Sequence, residues 1–448
     1  MFNNNKILIL GLARSGFQAA KVLINRGNEV YLNDGAPEEK MNPDQVKELR
    51  DLGVNLIFGS HPDDLIDDSF DYMIKNPGVP IDHKYVLKCR ELNIPVINEV
   101  EMAYKLLPKD VSIIGITGTN GKTTTTSISY EIIHKAFGDK VHLAGNIGYP
   151  LSSILNDVKS GDIIVMECSC QQGENFIDFH PHVGVCTNFS EAHIDFMKTY
   201  EHYKETKSRM FYNQSESDIA IMNYSNNDVM DELKDIKSIK KFFSSSEDID
   251  GCHLVGEDIY YYNELIMNIN DIKIKGMHNV ENVMAAIMVC KEYEVENSII
   301  YEVVSNFKGV EHRLEYVDTI NGVEYYNDTE ATNIKCCQIA LSSFNKPIIL
   351  FLGGLERGQD FGDLDGYLDN VKAIIAIGQC RDRVGEFGKE RNIPTYVYEH
   401  LVDGFDKAVE VAEDGDVVLL SPASASWDQY KECEIRGAEF KDKVHNIK

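Results

Sequence analysis

The fold is decided by residues 111–127, which read VSIIGITGTNGKTTTTS. The stretch consists of an apolar run, a glycine-rich turn that ends in Gly121-Lys122-Thr123, and a series of hydroxyl side chains. We expect a strand before the turn and a helix from about Lys122 onward. Backbone N–H groups of such a turn and the positive end of the helix face the same point, so the stretch predicts a phosphate-binding loop.

The side chains of this loop indicate its ligand. Lys122 can reach β- and γ-phosphates, and the Thr123 hydroxyl can bind a Mg²⁺ that bridges them. The spacing departs from the general G-x-x-x-x-G-K-[ST] rule because Ile116 stands where the first glycine belongs, so the match is to a shorter variant, T-G-T-N-G-K-T-T. We expect ATP to bind at Gly118, Thr119, Asn120, Gly121, Lys122, Thr123 and Thr124.

Length and composition indicate a soluble globular protein of about three domains. The chain has 448 residues, more than one hydrophobic core ordinarily holds. Its 44 basic and 72 acidic residues give a net charge of −28, which disfavours binding to nucleic acid or to an anionic membrane. No apolar run approaches the ~20 residues of a membrane span, and the N-terminus lacks a signal-peptide pattern. We therefore expect a cytoplasmic protein with reduced cysteines.

The first hundred residues predict a parallel sheet with crossover helices. Short apolar runs such as KILILG, EVYLND and DYMIK alternate with amphipathic segments. The opening turn, residues 11–16, reads GLARSG, a degenerate G-x-G-x-x-G, and Asp34 follows where an acid reads the ribose or base in nucleotide-binding units. We expect a Rossmann-like domain over residues 1–107, although a turn that only packs helix on strand would have the same pattern.

Two further α/β domains follow. Residues 107–110, LPKD, resemble a linker, and the domain after it, residues 108–308, contains the phosphate loop. Apolar runs such as KPIILFLGG and DVVLLSPASAS, each followed by small or polar residues, place a third domain at residues 309–448. The expected fold class is α/β, with a Rossmann-like N-terminal domain, a central P-loop ATPase-like domain with a mostly parallel sheet, and a C-terminal Rossmann-like domain.

Polar side chains follow two more apolar runs of the central domain. Glu167 comes directly after residues 162–166, and His193 lies in the segment that follows residues 183–186. Ligands of open α/β sheets bind beyond the carboxyl ends of the strands. Oxygen and nitrogen ligands suit Mg²⁺ or Mn²⁺, so Glu167 and His193 are candidate ligands of a second divalent cation.

A series of motifs resembles the Mur ligases over essentially the whole chain. The motifs occur in the family's order, and such an order is far more specific than any one motif. They are GLARSG, NPGVP (76–80), TGTNGKTTT (117–125), AGNIG (144–148), Glu167, EAHIDF (191–196), GMHNVEN (276–282), GVEHRLE (309–315), YND-x-x-ATN (326–333) and LSPASASWDQY (420–430).

The resemblance implies a three-domain, ATP-dependent peptide ligase of peptidoglycan precursor synthesis. It is strongest to the members that join D-glutamate to UDP-N-acetylmuramoyl-L-alanine through an acyl phosphate. The N-terminal domain would bind the uridine diphosphate, the middle domain ATP and two Mg²⁺ ions, and the C-terminal domain the amino acid. The expected partners are these small molecules, with no nucleic acid, no membrane and a monomeric state.

The resemblance also implies roles by position. The catalytic residues would be Lys122, Glu167, His193 and Lys207. Metal would be bound by Thr123, Glu167 and His193, and a carbamylated Lys207 would present a carboxylate-like group to the second ion. Asn279 and Asn282 would lie near adenine, and Arg313 and Asp328 near the ATP phosphates and ribose. The uridine nucleotide would be contacted by Arg14, Ser15 and Asp34, and the muramoyl-alanine part by Asn146. The glutamate carboxylates would be bound by Arg357 and Ser426. Further substrate contacts would be Ser169 and Thr332. A solvated helix lysine at Lys207, and helix-capping asparagines at Asn279 and Asn282, are the alternatives.

Four departures from the family pattern affect the substrate sites. Residues 168–172 read CSCQQ where a sequence close to LSSFQ is expected, and Met197-Lys198 replaces H-G. Glu330 stands in place of a lysine, where Lys335 could neutralise it, and Cys433 in place of an aromatic residue. The phosphate loop is spared. A Mur-type ligase with another amino-acid substrate, or a non-catalytic ATP-binding paralogue, therefore stays open.

Overall fold

The computed structural model describes residues 2–192 and 194–447, which form three sheets in two compact units. The first unit comprises Met1–Ile269 and Val280–Val303, and the second comprises Asn270–Asn279 and Val304–Lys448. In the part of the chain that the structure describes, no helix is both long and apolar enough to cross a membrane. The α/β class is confirmed, and the domain boundaries at 107/108 and 308/309 stay a prediction.

The first sheet has the strand order β3-β2-β1-β4-β5, and all its neighbouring strands are parallel. This is the strand order 3-2-1-4-5-6 of the dinucleotide-binding fold without its sixth strand. Its central strand is buried on both faces, which explains the uninterrupted apolar sequence of that strand. The elements are β1 (Lys6–Leu10), α1 (Arg14–Asn25), β2 (Glu29–Asp34), α2 (Pro43–Asp51), β3 (Asn55–Phe58), β4 (Tyr72–Lys75), α3 (Lys84–Glu91), β5 (Val96–Ile97) and α4 (Glu99–Tyr104).

The second sheet has nine strands in the order β14-β13-β12-β11-β10-β9-β6-β8-β7. It is parallel from β7 to β12 and antiparallel from β12 to β14, so the prediction of a mostly parallel sheet is confirmed. Its elements, with the two helices that follow them, are β6 (Ser112–Thr117), α5 (Lys122–Phe137), β7 (Val141–Gly145), β8 (Ile163–Glu167), α6 (Cys170–Gly173), β9 (Val183–Cys186), α7 (Ile194–Met197), α8 (Tyr200–Tyr212), β10 (Ile219–Asn223), α9 (Asn227–Glu232), β11 (Ile239–Ser244), β12 (Cys252–Val255), β13 (Asp258–Tyr261), β14 (Glu264–Asn268), α10 (Met277–Glu292) and α11 (Asn297–Asn306).

The third sheet belongs to the second unit and has the order β15-β16-β20-β17-β18-β19. Only the β15–β16 pair is antiparallel among these described strands. Buried aliphatic side chains of β17, β18 and β20 form its core. The elements are β15 (Glu315–Ile320), β16 (Val323–Asn327), α12 (Ile334–Ser342), β17 (Ile348–Gly353), β18 (Val371–Ile377), α13 (Arg381–Glu390), β19 (Thr395–Val397), α14 (Leu401–Val411), β20 (Val417–Leu420) and α15 (Cys433–His445).

Within the first unit, helix α4 joins the first sheet to the second through two buried carboxylates. The Glu101 carboxylate accepts hydrogen bonds from the backbone N–H groups of residues 177–179 at 2.9–3.0 Å, and the Lys105 ammonium lies 2.9 Å from it. Glu99 accepts a hydrogen bond from the N–H of Ser152, and burial raises the pKa of the Glu99 carboxyl. A buried carboxylate that accepts several N–H groups ties the two chain segments firmly together.

Candidate active site

The glycine-rich turn lies between β6 and α5, as predicted. Gly118 has a φ of +139°, and a Cβ placed on it would lie 2.0 Å from the Thr187 hydroxyl oxygen. Gly121 has a φ of +81°, and a Cβ there would lie 2.0 Å from Oδ1 of Asn282. Only glycine tolerates both the backbone conformation and these close approaches. The turn is therefore a backbone cradle of the kind that binds phosphate.

The segment after β9 holds this turn in shape. The N–H of Thr119 donates to the carbonyl of Asn188 at 2.8 Å, and the N–H of Asn120 donates to the Asn188 side chain at 3.0 Å. The Thr187 hydroxyl donates to the carbonyl of Asn120 at 2.6 Å. Two N–H groups of the turn are thus engaged by protein. The first turn of a helix has N–H groups without intrahelical acceptors and carries the positive end of the helix dipole, so the start of α5 is a position that favours an anion.

Two lysines donate to carbonyl groups of the same turn. Nζ of Lys122 lies 2.9 Å from the carbonyl oxygen of Thr119, and Nζ of Lys207 lies 2.6 Å from that of Gly118. Lys207 is buried on α8, where desolvation and the charge of Lys122 lower its pKa to about 7. The alternative of a solvated helix lysine at position 207 is therefore wrong.

Glu167 is buried at the end of β8, where it connects two other candidate residues. Its carboxylate accepts a hydrogen bond from the Thr123 hydroxyl at 2.7 Å and one from the Asn146 amide at 2.8 Å. The adjacent hydroxyl and carboxylate oxygens of Thr123 and Glu167 are the donor types that Mg²⁺ prefers, so these residues fit a divalent cation. His193, the other predicted metal ligand, lies outside the described residues.

Two of the residues that follow Glu167 keep the family pattern, and they cap a helix. Ser169 caps α6: its hydroxyl accepts the N–H of Gln172, and the Gln172 side chain accepts the N–H of Ser169. This reciprocal capping keeps the serine and the final glutamine of the family pattern. Cys168 and Cys170 are buried, and burial raises the pKa of both thiols. All ten cysteines are free thiols, as expected.

The two asparagines predicted near adenine lie on α10 and belong to different units. In the first unit, Oδ1 of Asn282 accepts a hydrogen bond from the Thr125 hydroxyl at 3.3 Å, so Asn282 contacts the helix that follows the phosphate loop. In the second unit, the Asn279 amide donates to the carbonyl of Lys275 at 2.7 Å. Both residues are buried.

The candidate uridine site surrounds the turn of residues 11–16. Arg14 is exposed at the start of α1, and Ser15 accepts a hydrogen bond from the Asn76 amide at 3.0 Å. Asp34 accepts the N–H groups of Leu12, at 3.0 Å, and Ala36, at 2.9 Å. The structure therefore brings Asp34 to this turn and uses its carboxylate to hold the backbone of the turn.

Lys75 is a buried cation behind the same turn that the sequence did not single out. Its Nζ donates to the carbonyls of Asn76 and Val79 at 3.3 and 2.8 Å, which closes the loop of residues 76–80. Burial lowers its pKa to about 8. Its position at the end of an apolar strand, next to the NPGVP motif, was the available signal.

In the second unit, Asp328 and Glu330 follow β16. The buried Asp328 carboxyl accepts the Ser421 hydroxyl at 2.7 Å and the N–H of Leu314 at 3.0 Å, and desolvation raises its pKa to about 7. Glu330 lies 3.3 Å from the guanidinium of Arg313. The cation that neutralises Glu330 is therefore Arg313.

The candidate amino-acid residues lie on loops after β16, β17 and β20. Arg357 is exposed, with its guanidinium carbon 4.7 Å from the ring centroid of Trp427. Ser426 is buried, and its hydroxyl has no hydrogen-bond partner among the described residues. The N–H of Thr332 donates to the carbonyl of Glu330 at 2.8 Å.

Two further residues of the second unit, Cys433 and Arg436, lie near these loops. Burial raises the pKa of the Cys433 thiol to about 12. Arg436 is buried, and its guanidinium donates to the hydroxyl and carbonyl of Thr329, both at 2.9 Å, and to the carbonyl of Ser424 at 3.2 Å. Arg436 thereby joins the loop after β16 to the loop after β20. Sequence reasoning missed it because a lone helix arginine is ordinarily exposed.

Comparison with known proteins identifies the relatives of the chain. Residues 116–290 match the Mur ligase middle domain, and residues 312–424 match the Mur ligase glutamate ligase domain. The UDP-N-acetylmuramoylalanine–D-glutamate ligase of Enterococcus hirae is 43% identical over 456 residues, which cover 100% of this chain and 98% of that protein. The ligase of the same name from Geobacillus kaustophilus is 41% identical over 454 residues, covering 100% and 99%.

Solved structures share the fold at low identity. UDP-N-acetylmuramate–alanine ligase MurC from Thermotoga maritima aligns with a TM-score of 0.60 at 16% identity, over 99% of this chain and 100% of that one. MurF ligase from Thermotoga maritima, solved in complex with ADP, aligns with a TM-score of 0.59 at 17% identity, over 99% and 96%.

Proposed function

The chain belongs to the Mur ligase family, and from this premise we propose that it joins D-glutamate to UDP-N-acetylmuramoyl-L-alanine in peptidoglycan precursor synthesis. Full-length relatives at about 40% identity that carry this activity in their names support the choice of substrates. We place the reaction in the cytoplasm and assign it to a monomer.

The reaction has two steps. The alanyl carboxylate attacks the γ-phosphorus of ATP, the bond to ADP breaks, and an acyl phosphate forms. The amino group of D-glutamate then attacks the acyl carbon, an amide bond forms, a proton leaves the nitrogen and inorganic phosphate departs. Both steps concentrate negative charge on phosphate oxygens, so the protein catalyses them chiefly by placing positive charge and aligning the reactants.

The single observation that best supports phosphoryl transfer is the arrangement around Glu167. Its buried carboxylate contacts the Thr123 hydroxyl at the start of the phosphate-loop helix, and the other carboxylate oxygen contacts Asn146. Thr123 and Glu167 would hold a Mg²⁺ ion, which supplies charge neutralisation for the nucleotide phosphates when bound. Lys122, on the same turn, neutralises charge on the transferred phosphoryl group.

We further propose that Lys207 is carbamylated and binds a second Mg²⁺ together with His193. Its amine is buried with a lowered pKa, so a substantial fraction is neutral near pH 7. A neutral amine adds to CO₂ and releases a proton to give a carbamate, whose negative charge would be balanced by Lys122 and the metal. The burial that disfavours an ammonium ion is the feature of position 207 that supports this modification.

The remaining candidate residues are assigned to the three substrates. These assignments follow the family's positions, and two of the residues, Asn146 and Asp328, directly follow strands. Adenine and the ATP ribose and phosphates are assigned to Asn279, Asn282, Arg313 and Asp328; the UDP-sugar to Arg14, Ser15, Asp34, Asn146 and Ser169; and D-glutamate to Thr332, Arg357 and Ser426.

A different amino-acid substrate is the second candidate, and Glu330 favours it. A carboxylate in place of a lysine changes the charge presented to the amino acid, although Arg313 pairs with it. The deciding experiment measures phosphate release with UDP-N-acetylmuramoyl-L-alanine, ATP and Mg²⁺ across D-glutamate, L-glutamate, D-aspartate and glycine. We expect D-glutamate to be fastest at equal concentration. A faster rival would contradict the proposed substrate, and release that no amino acid stimulates would contradict ligation.

A further inference from the structure

The chain has one tryptophan, Trp427, and 65% of it is exposed. A single exposed aromatic side chain is ordinary in a folded protein, so the informative observation is what its ring contacts. Its ring lies against the guanidinium of Arg357, whose Cζ is 4.7 Å from the ring centroid. This distance is within the range of a cation–π contact.

Arg357 differs from other arginines of the second unit in how its guanidinium is held. Arg383 donates to Glu356 and to the carbonyl of Gln359, and Arg391 donates to both carboxylate oxygens of Asp365. Across residues 2–192 and 194–447, the Arg357 guanidinium has neither an ion pair nor a hydrogen bond. Because an aromatic face attracts the cation through its quadrupole, Trp427 holds the guanidinium without engaging its N–H donors.

The backbones that carry the two side chains are fixed to each other. The N–H of Leu355 donates to the carbonyl of Ala425 at 2.8 Å, and the Gln359 amide donates to the Ser424 hydroxyl at 2.7 Å. The residue that follows the tryptophan, Asp428, accepts a hydrogen bond from the N–H of Gln379 at 2.8 Å. The ring and the guanidinium are therefore presented from loops whose separation is set by hydrogen bonds.

The residue before the tryptophan has a second unengaged polar group. The Ser426 hydroxyl is buried and has no hydrogen-bond partner in the described part of the chain. A buried hydroxyl without a protein partner has a hydrogen available for a bound ligand or water. Trp427 thus connects a hydroxyl and a guanidinium that both have free donors, since it follows one in the chain and stacks on the other.

We propose that Trp427 is the positioning residue that presents Arg357 to a carboxylate of the incoming amino acid. This inference rests on the proposed function, and it identifies the ligand class as an amino dicarboxylate. The guanidinium, whose Cζ lies over the ring, keeps its N–H donors available for a bidentate contact with one carboxylate. The Ser426 hydroxyl donates to the substrate from the neighbouring position.

A double-mutant cycle tests the proposal. We expect Trp427→Ala to raise the KM for D-glutamate about fivefold, with kcat and the KM for ATP within about twofold of wild type. Trp427→Phe, which keeps an aromatic face, should restore most of the affinity. When Arg357 is Met, removing the tryptophan ring should change the KM by less than about twofold, because the group it positions is gone. Additive effects of the two substitutions would overturn the proposal.

Two controls separate the pairing from general damage and from the proposed function. Tyr367→Ala removes another exposed aromatic side chain of the same unit and should leave the KM for D-glutamate unchanged. Emission of the single tryptophan should shift in Arg357→Met without any substrate, and an unchanged spectrum would overturn the pairing. Wild-type turnover with D-glutamate is measured first: its absence would contradict the proposed function, while the emission experiment still decides whether ring and guanidinium interact.

Discussion

The strand ends of the second and third sheets carry the two candidate reaction sites, and the two differ in how completely their polar groups are paired. At the second sheet, the Thr123 hydroxyl donates a hydrogen bond to Glu167, and Lys207 donates one to the backbone of the glycine-rich turn. At the third sheet, Arg357 has only an aromatic contact and the Ser426 hydroxyl has no partner among the residues that the structure describes. The named lysine, threonine and carboxylate of the second-sheet site contact protein groups, whereas the third-sheet site presents a guanidinium and a buried hydroxyl that have no hydrogen-bond partner among the described residues.

The difference follows from the chemistry required of each site. Phosphoryl transfer needs fixed positive charge and fixed metal ligands, and a network that is already formed does not have to reorganise during the reaction. An amino-acid site must distinguish among similar substrates, and polar groups that only the correct ligand completes provide such discrimination. The departures at Glu330 and Cys433 lie in the third sheet's region, and Glu330 changes the charge there.

Lys122→Ala is the most severe way to break the second-sheet site. We expect ligation to fall by about 10³-fold or more, because the variant loses the ammonium that stabilises the transferred phosphoryl group. Turnover and a thermal melt are measured together. Lys135→Ala, an exposed position on the same helix that pairs with Glu302, is the matched control and should retain full activity. Turnover of Lys122→Ala within a few-fold of wild type would contradict the assigned role.

Lys207→Ala tests whether the second-sheet site needs a carboxylate-like group at position 207. We expect a loss of about 10²-fold, partly restored by added short-chain carboxylic acids, which can occupy the vacated space. Bicarbonate depletion should lower the activity of the native enzyme, and mass spectrometry should detect the carbamate. Lys204→Ala, which changes another lysine of α8 whose side chain pairs with Asp228 of α9, is the control. A free amine together with activity indifferent to the substitution would exclude carbamylation.

Glu330→Lys tests how the charge at position 330 affects substrate binding at the third-sheet site. The substitution restores the family's cation and ends the pairing with Arg313, so we expect the KM for D-glutamate or for the UDP-muramoyl substrate to fall several-fold. Glu330→Gln, which removes the charge without reversing it, should give an intermediate value. A KM that rises for both substrates would mean that the glutamate–arginine pair itself serves binding.

The smallest expected effect concerns stability at Asp328, a strongly buried group of the third-sheet region. Its folded-state pKa of about 7 exceeds the ordinary value of 3.8, so the folded protein binds a proton between these values that the unfolded chain has released. Stability from this group is full below pH 3.8 and is lost as pH rises through about 7. Relative to wild type, Asp328→Asn should gain a few degrees in Tm between about pH 5 and about pH 8.

The matched control for this melting experiment is Asp318→Asn, which replaces an exposed carboxylate on β15 of the same sheet. The difference in Tm between Asp318→Asn and wild type should not vary across that pH range. A constant difference for Asp328→Asn as well would mean that the Asp328 carboxyl is ionised in the folded protein.

The sequence predicted the parts of the molecule that depend on local pattern. The phosphate loop, the parallel first sheet and the mostly parallel second sheet follow from apolar runs and glycine positions. The convergence of Thr123, Asn146 and Glu167 follows from a topological rule, because neighbouring parallel strands end at one edge.

Other features depend on contacts between distant segments, which no periodicity encodes. Arg313 rather than Lys335 pairs with Glu330, since a turn after β16 brings residues 17 apart in sequence together. The buried guanidinium of Arg436 joins two loops, and its partner Thr329 lies 107 residues away. The motif that contains Trp427 does not predict its contact with Arg357, because that contact requires the loops after β17 and β20 to be adjacent.

The Glu101 carboxylate has a consequence for the order in which the chain folds. The amide hydrogens that it holds, at residues 177–179, lie about 76 residues further along, so they gain this acceptor only after the first sheet and the second have both formed. Hydrogen exchange at these amides therefore reports joint unfolding of the two sheets. A chain released residue by residue from the ribosome could not complete the contacts of α4 until β6, β7 and β8 of the central sheet had followed it.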